Sequence, residues 1–474
     1  MSKISAYRLS RLLGNWASGA TGPLPERLKN ALADLINDNA VPIGSDLPSE
    51  RLLAEALGTS RGTVTAAYAR LRETALIESR HGSGHRILGS SVYLHVAERP
   101  NVSLRSHEDG SPSAIDMSSG SLSPSPIVLD VVAGVQGKDL VRSVADVGTL
   151  SSGLPHLKWE IARHYSELGL PTHPNNIIIT NGAQQAIWLL SSILVRPGDP
   201  VLVENPTYRG ALEAFRHQKA RLISVPLDHD LRFDLSALEA LLSRRPKIAY
   251  LFSDVSNPLG RTLKADERSA VSAMLRKHEA FLIEDGSQYG LDLTAQLPTT
   301  PLVGSLDENR SALIGTMSKL FWGGLRIGWI RAGRGLIKTL AAFKAASDLG
   351  NPILDQAIAA RMFPYLAQAR SHRRDELQRH LARLQQELRR RSTGWSWIEP
   401  DGGSALWIKM PGVSTVSLRQ SALRRNLVLS AGPDFSSERG FEDSLRLPFV
   451  RPLEVIRSAL DTIEEILDVA HGAA

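Results

Sequence analysis

Gly315-Thr316-Met317-Ser318-Lys319, followed by Gly323, Gly324 and Arg326, puts an amine, two hydroxyls and a guanidinium into one short segment. A lysine amine condenses with an aldehyde to form a Schiff base, while Thr316, Ser318 and Arg326 are suited to gripping a phosphate. Pyridoxal 5'-phosphate is one aldehyde that carries its own phosphate, and for it this segment would be both covalent anchor and clamp.

Further residues with usable chemistry stand upstream. In Asn181-Gly182-Ala183-Gln184-Gln185 the backbone N–H groups of Gly182, Ala183 and Gln184 would open a helix and form an anion site; many strand–helix turns share that look. Tyr208 can stack on a pyridine ring, though a lone tyrosine equally fills a core. Asn257, in Ser256-Asn257-Pro258, can bond a ring hydroxyl or simply make an Asn-Pro turn. Asp285 can pair with a protonated pyridine nitrogen or cap a strand end. Six such features in one order carry more weight than any one of them.

The elements that must position them alternate. Residues 177–180, 200–203, 221–225, 248–252, 281–283 and 312–316 read as strands. Between them 183–195, 235–242 and 265–277 read as amphipathic helices. Strand–helix alternation predicts a mostly parallel α/β sheet, and ligands of such sheets sit beyond the carboxyl ends of the strands. Each candidate falls there.

A second kind of chemistry lies near the amino end. Leu28, Leu32, Leu35 and Ile36 share a helix face, and Val41-Pro42-Ile43-Gly44 ends it. Pro48 and Ser49 start a short helix; after Gly58, Thr59-Ser60 starts another, over Arg61 to Thr74. Two helices about a glycine turn are a helix-turn-helix pattern, and the second would enter a major groove. Residues 77–87 read as two strands around a glycine-bearing wing. Ser49, Arg51, Ser60, Arg61, Thr63, Arg80, His81 and Gly82 are the expected DNA contacts. The same fold kept as a protein-contact module is the alternative.

Composition allows both parts. The 474 residues are 42% hydrophobic and 22% charged, as in a soluble multidomain protein. No apolar run approaches the ~18 residues a membrane helix needs, and Arg8, Arg11 and Asn15 interrupt any leader-like core, so a cytoplasmic protein is expected. With no cysteine, disulfides and thiolate metal sites are excluded, and the 13 histidines show no metal-binding spacing. The net charge is +6; residues 1–90 carry eleven Lys/Arg against eight Asp/Glu, half of that excess.

The run "LPSERLLAEALGTSRGTVTAAYARL…SRHGSGHRI" resembles the GntR superfamily of bacterial regulators. The order "TNGAQQA … NPTY … SNPLG … IEDG … GTMSK…GGLRIGW" resembles fold-type I pyridoxal-phosphate enzymes of the aspartate aminotransferase family. Together they resemble the MocR subfamily. Residues 89–113 mix Ser, His, Pro and Gly without a clear period and read as a linker with one strand at 92–96, or else as a loop packed on the large domain. On either side of it the resemblance implies a winged helix-turn-helix over 20–88 and an aminotransferase-like domain over 114–470. The last would include a smaller C-terminal α+β subdomain from about 355. It implies Lys319 as the Schiff-base lysine, Asp285 at the pyridine nitrogen, Asn257 at the ring hydroxyl and Tyr208 as stacking partner. Thr316, Ser318, Arg326 and the Gly182–Gln184 backbone would hold the phosphate, and Arg446 a ligand carboxylate.

The implied partners are a double-stranded DNA operator, an amine or amino-acid effector or the cofactor itself, and a second copy in a head-to-tail homodimer. Two places depart from the family. Gln288 stands where a tyrosine is common, with Tyr289 next to it, and Thr149 and Leu150 stand where another tyrosine would reach a partner's phosphate. The functional expectation is a regulator that senses through the cofactor; a working aminotransferase with a DNA-binding head is the alternative. The Arg-rich stretch 367–391 reads as a solvated helix face, with contact to bent DNA as its other reading.

Overall fold

The computed structural model describes residues 4–17, 22–37, 40–41, 44–74, 76–80, 84–88, 114–144, 148–228, 231–252, 254–294, 300–391, 394–438 and 440–471. The expected linker with its strand, and His81 and Gly82, lie outside them.

The head begins earlier than residue 20. Helix α1 (Ala6–Leu13) is capped by Ser5, whose side chain accepts from Arg8 N. It buries Leu9, Leu12 and Leu13, a spacing of three and four residues that puts them on one face. Helices α2 (Leu24–Asn37), α3 (Glu50–Ala56) and α4 (Arg61–Glu73) follow, with strand β1 (Asp46–Leu47) between α2 and α3. Strands β2 (Ile77–Arg80) and β3 (Gly84–Ile87) complete a three-stranded wing in the order β1-β3-β2. Leu28, Leu32, Leu35, Leu53, Val64, Tyr68 and Leu71 make its core, and the Tyr68 hydroxyl donates to Pro48 O at 3.1 Å. Ser49 and Ser60 cap α3 and α4, each accepting from a backbone N–H of the first turn.

The body opens with β4 (Ile115–Asp116), α5 (Pro126–Gly134), α6 (Gly137–Val141) and α7 (Pro155–Glu167). Then strand and helix alternate: β5 (Ile177–Thr180), α8 (Gly182–Leu194), β6 (Pro200–Glu204), α9 (Arg209–His217), β7 (Arg221–Val225), α10 (Leu235–Leu242), β8 (Ile248–Leu251), α11 (Ala265–His278), β9 (Phe281–Asp285), β10 (Ser311–Thr316) and β11 (Gly328–Ala332). They form a seven-stranded sheet in the order β5-β11-β10-β9-β8-β6-β7. All six expected strands are present. The seventh, β11, runs antiparallel to both neighbours, β10 and β5.

Apolar clusters cover both sheet faces, one around Leu157, Leu202 and Leu282, the other around Ile178, Val203 and Phe215. Helices α12 (Arg334–Asp348) and α13 (Ile353–Ala360) lead into α14 (Leu366–Arg391). Ala357, Ala359 and Ala360 of α13 belong to the large core. Along α14 a different core begins, with Leu377, Leu381, Leu384 and Leu388.

That smaller core is completed by β12 (Ser396–Trp397), β13 (Ala405–Lys409), α15 (Thr415–Leu423), β14 (Leu427–Val428), β15 (Ser430–Ala431), β16 (Ser444–Pro448) and α16 (Leu453–His471). Its sheet runs β12-β13-β16-β15, and β14 pairs with β4 from the start of the body. Among the described residues no helix is long and apolar enough to cross a membrane.

Candidate cofactor pocket and DNA-binding face

Strands β9 and β10 are parallel, with Asp285 level with Ile314, so both carboxyl ends open at one edge. Asp285 is only 1% exposed. Its Oδ1 accepts from Ser287 N at 2.8 Å and its Oδ2 from the Tyr250 hydroxyl. Burial pushes this carboxyl up, and those hydrogen bonds oppose the shift. Tyr250 was not legible as a site residue. In sequence it is one more aromatic in a buried strand, and only the neighbouring strand gives it a carboxylate to hold.

Lys319 follows β10. Its Nζ donates to Gly120 O at 3.0 Å. Burial, with the Arg446 and Arg209 cations nearby, brings its ammonium down to about 8. Thr316 Oγ1 donates to Ile327 O at 2.8 Å, accepts from Ser318 N at 3.2 Å and lies 2.9 Å from Ser318 Oγ. Arg326 Nη2 donates to Asn181 O at 2.7 Å, which brings the second half of the expected phosphate clamp against the first. Gly182, at φ +77°, is needed there: a Cβ would come within 3.2 Å of Arg326 Nη2. The guanidinium thus meets the amino end of α8, in the segment that also carries the Thr316 and Ser318 hydroxyls.

Tyr208 caps α9 and is half-buried; burial raises its hydroxyl. Gln184 Nε2 donates to Gly210 O at 3.0 Å. Gln184 Oε1, Asn257 Oδ1, Gln288 Oε1 and Arg446 Nε are buried with no hydrogen-bond partner among the described residues. Arg446, on β16, is 5% exposed and lies 5.8 Å over the Phe435 ring. Burial and the Arg209 charge lower it to about 10.

Arg209 is the second cation here and was missed in sequence, where it reads as the first residue of a helix. It donates to Ser430 Oγ at 3.0 Å and shares the Phe435 ring, at 6.0 Å. Tyr289 does not replace the tyrosine absent at Gln288: it faces away, edge-on to His164 and under Arg370. Thr149 is exposed.

On the head, α4 presents Ser60, Arg61, Gly62 and Thr65 to solvent at its amino end. The Arg61 side chain is 72% exposed and lies 3.7 Å from Glu50. Arg51 is exposed as well. Thr63, expected to reach DNA, is instead 8% exposed, and its Oγ1 lies 2.8 Å from Ser60 Oγ. It completes the helix cap rather than facing a groove, and Thr65, one turn on from Arg61, takes the outward position. The side chain of Arg80 lies outside the described residues. Along α14, Arg379 and Arg383 are exposed. Arg373 is internal, donating to the carbonyls of Ser123, Leu320 and Phe321.

Residues 143–463 match the family described as aminotransferase class I and II, and residues 24–87 match bacterial regulatory proteins of the gntR family. The chain belongs to the aminotransferase class I and II family and carries a GntR-type helix-turn-helix head, the MocR arrangement. It is 28% identical over 481 residues to YjiR of Escherichia coli, an uncharacterized HTH-type transcriptional regulator, covering 93% of this chain and 98% of that one. It is 30% identical to a 2-aminoadipate transaminase of Thermus thermophilus over 285 residues, 58% of this chain and 71% of the other. Among solved structures, the α-aminoadipate aminotransferase LysN of the same organism, complexed with N-(5'-phosphopyridoxyl)-L-leucine, superposes with a TM-score of 0.67 at 25% identity. That match covers 77% of this chain and 94% of LysN.

These likenesses imply pyridoxal 5'-phosphate as the cofactor, and the pocket fits it. A lysine amine with a lowered pKa, a buried carboxylate and two orphaned polar atoms, Asn257 Oδ1 and Arg446 Nε, surround it.

Proposed function

We propose that the chain is a transcriptional regulator. In this reading its head binds a double-stranded DNA operator and its large domain holds pyridoxal 5'-phosphate on Lys319. It would sense the cofactor itself, or an amine or amino acid that enters the pocket beside Lys319. The cofactor, when bound, supplies an electrophilic carbonyl and an electron-withdrawing ring. The rest is done by the chain. Lys319 offers an amine of which a useful fraction is neutral near pH 7–8. Thr316, Ser318, Arg326 and the Gly182–Gln184 backbone hold the phosphate. Asp285, steadied by Tyr250, holds the pyridine N–H; Asn257 meets the ring hydroxyl and Tyr208 lies against the ring. Arg446, with Arg209 beside it, takes the carboxylate of the sensed ligand. On the head, Arg61, Thr65, Ser60, Ser49, Arg51 and the wing make the DNA contacts.

The observation that carries this reading is Arg446. It is a cation buried beside Lys319; its Nη1 donates to the neutral Ser118 O at 3.4 Å, and its Nε is unbonded among the described residues. A buried charge left so is costly, and an anion entering the pocket relieves it. Exposed apolar side chains on adjoining elements, Val141, Val144 and Leu354, support a homodimer.

The test is an absorption titration of purified protein with the cofactor and then with amines and amino acids, beside binding to operator DNA. An imine band that responds to one amine, with DNA affinity changing in parallel, is the expected result. Protein that stays colourless with excess cofactor sinks the proposal. The aminotransferase reading is favoured by the same assembled pocket and by the transaminases among the relatives. Against rapid turnover stand Gln288 and Thr149, since a loosely held ring loses ~100-fold in rate per ~1 Å of misplacement. Multiple turnovers at several per second with a 2-oxo acid, an ordinary enzymatic rate of order 1–10³ s⁻¹, would make the protein an enzyme first.

A further inference from the structure

Helix α1 belongs to two domains at once. On the head side, Ile4 N donates to Asp46 O at 3.1 Å and Arg27 Nη1 donates to Ala17 O at 2.7 Å. Leu9, Leu12, Leu13 and Trp16 share one apolar cluster with the helix-turn-helix core. Val416 of α15 and Ala431 of β15, from the C-terminal subdomain, complete that cluster. A single hydroxyl seals the contact. Ser417 Oγ lies 2.9 Å from Arg11 O and 2.8 Å from Leu12 O, so its one proton is shared between two carbonyls that the end of a helix leaves open. The chain then turns at Gly14, at φ +48°, where a Cβ would lie 2.9 Å from Ser417 Cβ. This contact is made within one chain; protomers that exchanged heads would make it between them.

The other side of the same two residues faces the cofactor pocket. Successive side chains of a strand point to opposite faces. On β15, Ala431 is wholly buried against the head's cluster, while Ser430 accepts from Arg209 at 3.0 Å and donates to Ser118 O at 3.2 Å. In the sheet register Ser430 sits opposite Arg446 itself. Ala431 N donates to Asp434 Oδ2 at 3.2 Å. Asp434 is in turn held by Arg419 of α15 at 2.7 and 2.9 Å, two residues from Ser417. Phe435, the next residue, lies beneath both arginines. From the ligand-carboxylate cations to the head, every link is therefore a direct contact.

We infer that β15 and α15 form a relay through which an anion on the Arg209–Arg446 pair sets how firmly the head is docked, with α1 as the clip. This rests on the reading of that pocket as the ligand site. A bound carboxylate pulls both guanidiniums toward itself and loosens the Arg209–Ser430 bond. Packed cores shift between discrete arrangements rather than deform smoothly, so a small movement of β15 changes the seat of Ala431 against α1.

The test is hydrogen–deuterium exchange of the full-length protein, read on peptides covering residues 4–16, with no effector required. Ser430→Ala and Arg209→Met touch no atom of the head. Each is expected to change α1 exchange at least threefold while the strands of the seven-stranded sheet exchange as in wild type. Asn257→Ala, in the pocket but off β15, is the control expected to leave α1 alone. Wild-type α1 exchange in both relay variants overturns the inference, as does an equal change in the control.

If the pocket variants loosen the whole domain, the relay is read in reverse, because coupling between binding sites is reciprocal. Gly14→Ala or Ser417→Ala then should change the affinity of pyridoxal 5'-phosphate severalfold, followed by its absorption. Unchanged affinity in both refutes the relay. If wild-type protein forms no imine at all, the sensing proposal fails, and the exchange measurement still decides the relay.

Discussion

Arg61 stands in water at the start of α4, its side chain 72% exposed and its nearest acid, Glu50, 3.7 Å away. Arg446 stands in the interior, 5% exposed, with an aromatic ring beneath it and Nε unbonded among the described residues. In the proposed reading both are offered to an anion. The exposed one keeps its hydration, moves freely and is screened within about 8–10 Å at ordinary ionic strength. The buried one has already lost its water and is held in place, so its interaction is stronger, directional and insensitive to salt. The head is thus suited to sampling a long polyanion, and the pocket to discriminating one small molecule.

The largest break in that contrast comes from the pocket's covalent centre. Lys319→Ala is expected to abolish any visible imine band that survives desalting. Lys319 is the lysine that the structure sets beside Arg446 and Gly120. A variant still yellow after borohydride reduction and a denaturing wash would show that another amine is the anchor.

Arg446→Met comes next. It keeps the apolar stem over Phe435 and removes the buried charge, so affinity for a carboxylate-bearing effector should fall at least ~100-fold, in keeping with the ~3–5 kcal/mol lost when one partner of a buried ion pair is removed. The loss should be nearly the same at low and high salt. A drop that salt largely cancels would mean that the carboxylate is held at the surface instead.

The pocket was legible where the chemistry requires particular residues in a fixed order. Lys319, Asp285, Asn257 and Arg326 stand out as candidates because each ends or follows a strand of apolar residues. Arg209 and Tyr250 were hidden, since their roles depend on which strand or turn lies opposite, and that is a property of the sheet order. Strand β11 was missed because its Gly328-Trp329-Ile330-Arg331-Ala332 looks like the tail of the glycine-rich segment before it. Thr63 is ambiguous in sequence, since a helix cap and a groove contact use the same residue types. Helix α1 has a signal in sequence too, since Leu9, Leu12 and Leu13, with Trp16 just beyond the helix, describe a face that needs covering.

A buried acid offers a third measurement. Glu204 is 5% exposed, its Oε1 accepts from Phe252 N at 2.6 Å, and burial, with nearby Asp285 adding to it, pushes the carboxyl from 4.5 up to about 8. Between those two values the folded protein holds a proton that the unfolded chain has released, so stability falls as pH rises from about 4.5 to 8. Glu204→Gln keeps an acceptor for Phe252 N and removes the proton. Its stability relative to wild type should grow across that window, by on the order of 3–5 kcal/mol above pH 8. Parallel pH–stability curves for the two proteins would show that Glu204 is ionised in the folded state.

The smallest effect is expected at Arg61, and its character matters more than its size. Arg61→Ala should weaken binding of the intact protein to its operator by about 1–3 kcal/mol if the guanidinium reads a base edge, with specificity relaxed at that base pair. If it meets only phosphate, affinity should fall evenly across sequences and the slope of log affinity against log salt should shrink by about one. The pairing with Glu50 adds a control. Glu50→Gln frees Arg61 from the partly buried acid beside it and removes a negative charge from the proposed DNA-facing side, so it should tighten binding most at low salt. Should Glu50→Gln weaken binding instead, Glu50 positions Arg61 for its contact, and the exposed arginine would prove to be as preorganised as the buried one.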